Sequence, residues 1–380
     1  MASDPLNTVT ADVQLFTKDH PLSFAKGGQL TEVTVRYETY GTLNENKTNA
    51  VFVCHALTGD AHAAGQRDGE KKPGWWDSLI GPGKPIDTDR FYVICPNLLG
   101  GCQGTTGPSS INPATGKSYG LGFPALDMRD FVSVHRGLVS HLGIDTLLAT
   151  IGGSLGGMQV LQWALDAPQD MASAIIIAAS SRLTAQNIAF SAVAREAIMR
   201  DDGFSGGQYV DEGTSPDTGL SIARMMAHIT YTSEGALWDK FGRSPQNTDL
   251  SGDLGVDFAV ESYLQYQGET FLDRFDALSY LYLSRVMDYF DPFAHDGACE
   301  LLSDHPVPTL VCSFSSDWRF SSRQSKRIAT RLERAGVPVT YQEIEAGVGH
   351  DSFLLEIPDY LELVGNFLDY RLEVAHDSSR

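Results

Sequence analysis

Gly152-Gly153-Ser154-Leu155-Gly156 is the stretch whose reading decides the fold. It follows Leu147-Leu148-Ala149-Thr150-Ile151, an apolar, partly β-branched run with the composition of a strand, and from Leu155 to Leu165 the composition becomes helical. Ser154 therefore stands on a strand-to-helix turn, the context that gives a G-x-S-x-G pattern chemical meaning. A serine hydroxyl is a poor nucleophile until a base takes its proton. The sharp turn holds Oγ clear of the sheet edge, and the flanking glycines relieve the crowding. The N–H of Leu155 then faces any developing oxyanion from a helix N-terminus, where amide donors are free and the macrodipole favours negative charge.

Outward from this turn, short β-branched runs alternate with longer segments of helical period, the pattern of a mostly parallel sheet covered on both faces. The expected strands are residues 33–40, 50–54, 91–95, 147–151, 174–178, 308–314 and 339–344. Phe131, Val134, Leu138 and Leu142 form one apolar stripe, a crossover helix. The alternation stops after the strand at 174–178, and helices are expected at 186–200, 218–230, 256–267 and 277–290, separated by Gly/Ser/Asp-rich stretches. The expected class is thus α/β, an α/β-hydrolase fold with residues 1–180 and 302–380 as the core and 181–301 as an inserted helical cap. The tail after Glu373 reads as frayed.

In this fold the partners of the serine follow in the order acid, then histidine, at the ends of later strands. Asp317 comes just after the strand at 308–314, and His350 lies in the loop after the strand at 339–344. Asp296 and Asp351 are rivals for the acid. A second oxyanion donor belongs on the loop after an early strand, and in Cys54-His55-Ala56-Leu57-Thr58-Gly59 the N–H of Leu57 is the candidate. No carboxylate stands at a helical offset from His55 or His62, so structural or substrate-lining roles are expected for both rather than a metal site.

Composition bounds the partners. Lys+Arg 28 against Asp+Glu 48 gives a net charge of -20, with no run of basic residues to offset it, which argues against nucleic acid and anionic lipid. The five cysteines are odd in number and contain no C-x-x-C pair, so a reducing cytoplasm is expected, with Cys54, Cys95 and Cys312 as core residues. The N-terminus lacks a signal-peptide pattern, and no apolar run reaches membrane-spanning length.

Longer motifs narrow the chemistry. Cys54 to Gly59, Lys72-Pro73-Gly74-Trp75-Trp76-Asp77, Ile80-Gly81-Pro82-Gly83-Lys84-Pro85-Ile86-Asp87-Thr88, Gly107-Pro108-Ser109-Ser110-Ile111-Asn112-Pro113, Gly152 to Gln159, Ala185-Gln186-Asn187-Ile188-Ala189-Phe190 and Ala227-His228-Ile229-Thr230-Tyr231 resemble the homoserine O-acyltransferases of the α/β-hydrolase superfamily. The resemblance runs from about Phe16 to about Leu368. It implies a ping-pong transfer from an acyl-CoA through Ser154, with Asp317 and His350 as acid and base and Leu57 and Leu155 as oxyanion donors. It also implies homoserine binding by Arg224 and Asp351, no cofactor beyond the CoA thioester co-substrate, and a homodimer joined through the cap helices. In this family the position of Arg319, two residues after the catalytic Asp, borders the acyl pocket, and acetyl-transferring relatives tend to be apolar there. A guanidinium suits the terminal carboxylate of a succinyl group, so succinyl-CoA is the expected donor and L-homoserine the expected acceptor. Acetyl-CoA as donor, serine as acceptor, and a plain serine hydrolase remain open alternatives.

Overall fold

The computed structural model describes residues 6–378 apart from 68, 71, 248, 249, 251, 253 and 296. Its centre is an eight-stranded sheet built from β1 (Val9–Leu15), β4 (Val33–Tyr40), β5 (Ala50–Cys54), β6 (Tyr92–Pro96), β7 (Ala149–Gly153), β8 (Ala174–Ile177), β9 (Thr309–Phe314) and β10 (Val339–Ile344), in the order β1-β4-β6-β5-β7-β8-β9-β10. The pairs β1·β4 and β4·β6 are antiparallel and the remainder parallel. A small hairpin of β2 (Leu22–Ser23) and β3 (Gln29–Leu30) lies apart from it. Every residue of β5, β7, β8 and β9 is buried, as parallel strands covered on both faces must be.

The strands expected at 33–40, 50–54 and 339–344 are observed with those bounds, and the others shift by one or two residues. The edge strand β1 lies outside the expected set although Val9 to Leu15 (VTADVQL) alternate apolar and polar without a break; it is mostly exposed and pairs along its full length with β4. The crossover helix α1 (Met128–His141) buries Phe131, Val134 and Leu138 as its stripe requires, and a reciprocal cap between Asp127 and Asp130 starts it. Helix α2 (Leu155–Asp166) is buried along nearly its whole length.

Between β8 and β9 the chain forms α3 (Ala185–Met199), α4 (Tyr209–Glu212), α5 (Asp217–Tyr231), α6 (Glu234–Phe241), α7 (Ala259–Leu272), α8 (Ala277–Tyr289) and α9 (Glu300–Asp304). Helices α4, α6 and α9 are too short for their apolar period to register in the sequence. After β9 come α10 (Ser322–Arg334) and α11 (Pro358–Ser378). The tail is therefore helical to Ser378 and not frayed from Glu373: Leu368 and Leu372 are buried and anchor its inner face. No described helix is long and apolar enough to cross a membrane.

One buried carboxylate braces the approach to the site. Glu38 on β4 is fully inaccessible, and it accepts from Tyr40 Oη at 2.6 Å, Thr10 Oγ1 at 3.0 Å, His62 Nδ1 at 2.9 Å and the Arg67 guanidinium. Burial acts to raise its pKa, but the hydrogen bonds from His62, Arg67 and Tyr40 prevail and hold it at about 2, below the ordinary 4.5. The ionised group ties the segment carrying His62 and Arg67 to the sheet. Its stabilising contribution is complete above about pH 4.5 and is lost as pH falls toward 2. Glu38→Gln is expected to lower the unfolding free energy by about 3 kcal/mol at neutral pH, by breaking a buried charged pair from one side. Urea unfolding across the acid range should show the gap between variant and wild type narrowing as Glu38 protonates; a gap independent of pH would mean that the charge is not its source.

Candidate active site

Ser154 occupies a backbone conformation that residues with a side chain rarely adopt, φ 58 and ψ -122. Its N–H donates to the Ile177 carbonyl at 3.0 Å and its carbonyl accepts from Met158 at 3.2 Å, so strand and helix both hold the strained residue. The glycines around it are required by contact. A Cβ on Gly156 would collide with the Cys54 carbonyl oxygen, and one on Gly152 would collide with the Gly156 backbone. Only glycine lets α2 begin this close to the end of β5.

The serine Oγ lies 2.8 Å from His350 Nε2, and His350 Nδ1 lies 2.7 Å from Asp317 Oδ2. All three residues are buried. The second oxygen of Asp317 accepts from the Phe320 N–H at 2.8 Å, which fixes the carboxylate plane. With Asp317 ionised, Nδ1 of His350 carries the proton that it donates, and Nε2 is free to accept from Ser154. His350 is packed among the rings of Phe320, Phe353 and Tyr231, at centroid distances of 4.9, 5.7 and 5.9 Å. Of the rival acids, Asp351 points elsewhere, and Asp296 lies outside the described residues.

Leu57 and Leu155 are the two expected oxyanion donors. Leu155 opens α2, where its N–H has no carbonyl one turn earlier to meet. Leu57 sits in the turn after β5, closed by the Gly59 N–H on the Ala56 carbonyl at 3.0 Å. His55 braces that turn from beneath. It accepts from the Leu98 N–H at 3.0 Å through Nε2, so Nδ1 carries the proton donated to the Ala56 carbonyl at 2.7 Å. Burial depresses its pKa and keeps it neutral. Gln159 continues the support, donating to the His55 carbonyl at 3.0 Å while its Oε1 lies 2.9 Å from Nε2 of His135. His55 is thus structural, and His62 is the ion-paired partner of Glu38 that also lines the cavity.

That cavity, of about 960 Å³, runs past Ala56, Thr58, Trp75, Tyr231, Phe271 and Asp351. Arg224 reaches it from α5, its guanidinium 4.7 Å above the Phe271 ring and its Nη1 3.4 Å from Thr58 Oγ1. Asp351 faces the same space. Burial raises its pKa, and none of the described side chains donates a hydrogen bond to its carboxylate. A guanidinium and a carboxylate that line one cavity, neither within salt-bridge distance of an opposite charge among the described residues, suit an amino acid's two charged ends.

Arg319 is 7% exposed. Its Nη1 donates to Thr230 Oγ1 at 2.6 Å, its guanidinium lies 5.1 Å from the Tyr231 ring centroid, and its carbonyl accepts from Asn187 Nδ2 at 2.7 Å. Among the described residues no carboxylate lies within salt-bridge distance of it. The sequence reading passed over three further residues. Tyr231 is seven positions beyond Arg224 on α5, a spacing that places both on one face and was available as a signal. His228 on the same helix lies 3.1 Å from Tyr263 Oη through Nδ1; burial, and then the charges of Arg224 and Lys240, push its pKa down to about 3. Arg274, beyond the end of α7, also lines the cavity, and nothing in its sequence neighbourhood marks it.

Comparison with known proteins identifies the family. The family described as alpha/beta hydrolase fold matches residues 49–357. A homoserine O-succinyltransferase of Nocardioides sp. is 56% identical over 94% of this chain and 97% of its own. A homoserine O-acetyltransferase of Caulobacter vibrioides is 50% identical over 94% of each. The crystal structure of an esterase superposes with a TM-score of 0.85 at 29% identity, covering 95% of this chain and 100% of that one. By fold, site geometry and similarity along nearly its whole length, this chain belongs to the homoserine O-acyltransferase family of the α/β-hydrolase fold.

Proposed function

We propose that the chain is a homoserine O-succinyltransferase, working by a ping-pong mechanism through an ester of Ser154. His350 Nε2 takes the Ser154 proton as Oγ attacks the thioester carbonyl of succinyl-CoA. The tetrahedral oxyanion is held by the N–H groups of Leu57 and Leu155, and Asp317 stabilises the imidazolium. Collapse breaks the C–S bond, His350 returns the proton to the departing thiolate, and the succinyl group remains on Ser154. L-homoserine then enters with its carboxylate on Arg224 and its ammonium on Asp351. His350 removes its hydroxyl proton as the hydroxyl oxygen attacks the acyl-serine carbonyl; collapse breaks the bond to Ser154 Oγ, His350 returns the proton to Oγ, and O-succinylhomoserine leaves. No cofactor is needed beyond the co-substrate thioester. Exposed Ile222, Ile229 and Trp238 on α5 and α6 suit the joining of two copies through this face.

Arg319 carries the choice of acyl group. It is a buried guanidinium without a carboxylate partner among the described residues, held on Tyr231 and followed in the chain by Phe320, and both rings pack on His350. A succinyl chain on Ser154 ends in a carboxylate that could come within direct contact of this guanidinium, which no protein carboxylate among the described residues does. A charge-assisted hydrogen bond contributes on the order of 1.5–3 kcal/mol, or roughly one to two decades of preference over acetyl. The similarity to an esterase favours, as a second reading, simple hydrolysis by the same three residues.

Incubation with each pairing of homoserine or serine and succinyl-CoA or acetyl-CoA, followed by release of free thiol, tests the proposal. Thiol release is expected to be fastest with homoserine and succinyl-CoA, whereas release indifferent to any amino acid would establish the hydrolase. Arg319→Leu is expected to lower kcat/KM for succinyl-CoA by roughly 10–100-fold while changing acetyl-CoA use far less; equal losses for the two donors would remove Arg319 from donor selection. Asp317→Asn is expected to lower acylation of Ser154 by about 10⁴-fold with the fold intact, as measured by single-turnover thiol release alongside circular dichroism.

A further inference from the structure

The turn that carries the Leu57 amide is held from beneath by His55, and from above by two arginines of the helical insertion. Arg274 donates through Nη1 to the Thr58 carbonyl at 2.9 Å, and Arg224 Nη1 lies 3.4 Å from the Thr58 hydroxyl. The two guanidiniums stand on the same Phe271 ring, at 5.4 and 4.7 Å from its centroid. Among the described residues neither has a carboxylate within salt-bridge distance. Burial, and then the charge of Arg224, lower the pKa of Arg274, so its position carries an electrostatic cost that the bond to Thr58 helps to offset. Its own backbone is fastened in turn, its carbonyl accepting from the Gln103 side chain and from Cys102 Sγ.

The two bonds to Thr58 differ in kind. The contact of Arg224 is long, and in the proposed reaction that guanidinium turns its fork to the acceptor's carboxylate. The contact of Arg274 is short, goes to a main-chain oxygen, and fixes the far end of the Ala56–Gly59 turn, whose near end is fixed by His55. We propose that Arg274 is a positioning residue for the oxyanion hole: by holding the Thr58 carbonyl it keeps the Leu57 N–H aimed at the reacting carbonyl, independently of which acyl donor is bound. The inference uses the Ser154 ester of the proposed function, but not its acceptor or its acyl group.

A p-nitrophenyl ester separates this role from the alternatives, because it acylates Ser154 without CoA or an amino acid. Arg274→Met is expected to slow the single-turnover burst of p-nitrophenolate from p-nitrophenyl acetate by roughly 10–100-fold, the scale of a misplaced catalytic group. In steady-state transfer from an acyl-CoA, kcat should fall while KM for homoserine stays within about twofold. Arg274→Lys, which keeps a donor, should recover much of the burst. A normal burst with a loss confined to acyl-CoA substrates would overturn the proposal and assign Arg274 to holding CoA. A slow burst accompanied by a matching fall in melting temperature, with no rescue by lysine, would overturn it in favour of a purely structural part. Failure of homoserine acylation in the wild type would count against the proposed function and leave the burst experiment intact.

Discussion

The site depends on how closely the first turn of α2 passes over the end of β5. Gly156 lies against the Cys54 carbonyl, where no side chain fits, and this contact sets the distance between the two segments that carry Leu155 and Leu57. The same closeness forces the chain through a positive φ at Ser154. Such a conformation costs about 1–3 kcal/mol and survives because its surroundings leave no alternative. The strand before it is buried on both faces, the helix after it is buried nearly throughout, and the serine amide is bonded to β8. Strain in the turn is thus the local consequence of starting α2 against the end of β5.

The groups around the serine come from two parts of the chain. Ser154, Asp317, His350, Leu57 and Leu155 follow strand ends of the sheet, where the parallel strands present their carboxyl ends on one side. Arg224, Tyr231 and Arg274 come from the helices between β8 and β9. A serine, histidine and aspartate so arranged form an ester with any acyl compound that reaches them, and whether water or an amino-acid hydroxyl then takes the acyl group is decided by what surrounds them. The rings of Phe320, Phe353 and Tyr231 around His350 limit the room for water. Arg224 and Asp351 offer an amino acid two charged contacts that water cannot use.

The sheet and the serine turn were legible because both rest on local signals. The strand at 33–40 and the buried strand at 50–54 have the β-branched composition that fixes their bounds, and the glycines at 152 and 156 announce a close approach. The order of serine, acid and histidine along the chain then placed Asp317 and His350. What the sequence could not supply was distance. It could not separate Asp317 from Asp351 as the histidine's partner, since both stand in loops at strand ends and only the spatial path of His350 Nδ1 distinguishes them. Edge strand β1 is the exception, since the unbroken alternation of Val9 to Leu15 did mark a strand, whereas Arg274 could not be found because its contact to the Thr58 carbonyl lies more than two hundred positions away.

In the proposed reaction, a residue that selects the acyl group has a different energetic standing from those that perform the chemistry. Loss of a triad member removes orders of magnitude in rate, whereas a carboxylate bound by one guanidinium is worth on the order of 1.5–3 kcal/mol, a difference that a single substitution makes or removes. Donor preference can therefore change between relatives whose sequences otherwise agree along their whole length, and overall identity is a poor guide to it. The informative comparison is local: whether a guanidinium stands beside the histidine without a carboxylate of its own. In this chain Arg319 is buried on Tyr231 with its Nη1 on the Thr230 hydroxyl, and among the described residues Asp351 acts on it only through space, with no carboxylate at salt-bridge distance. A buried cation in that state is costly unless an anion lies near it, and in the proposed succinyl transfer the carboxylate of the acyl chain on Ser154 would be such a group.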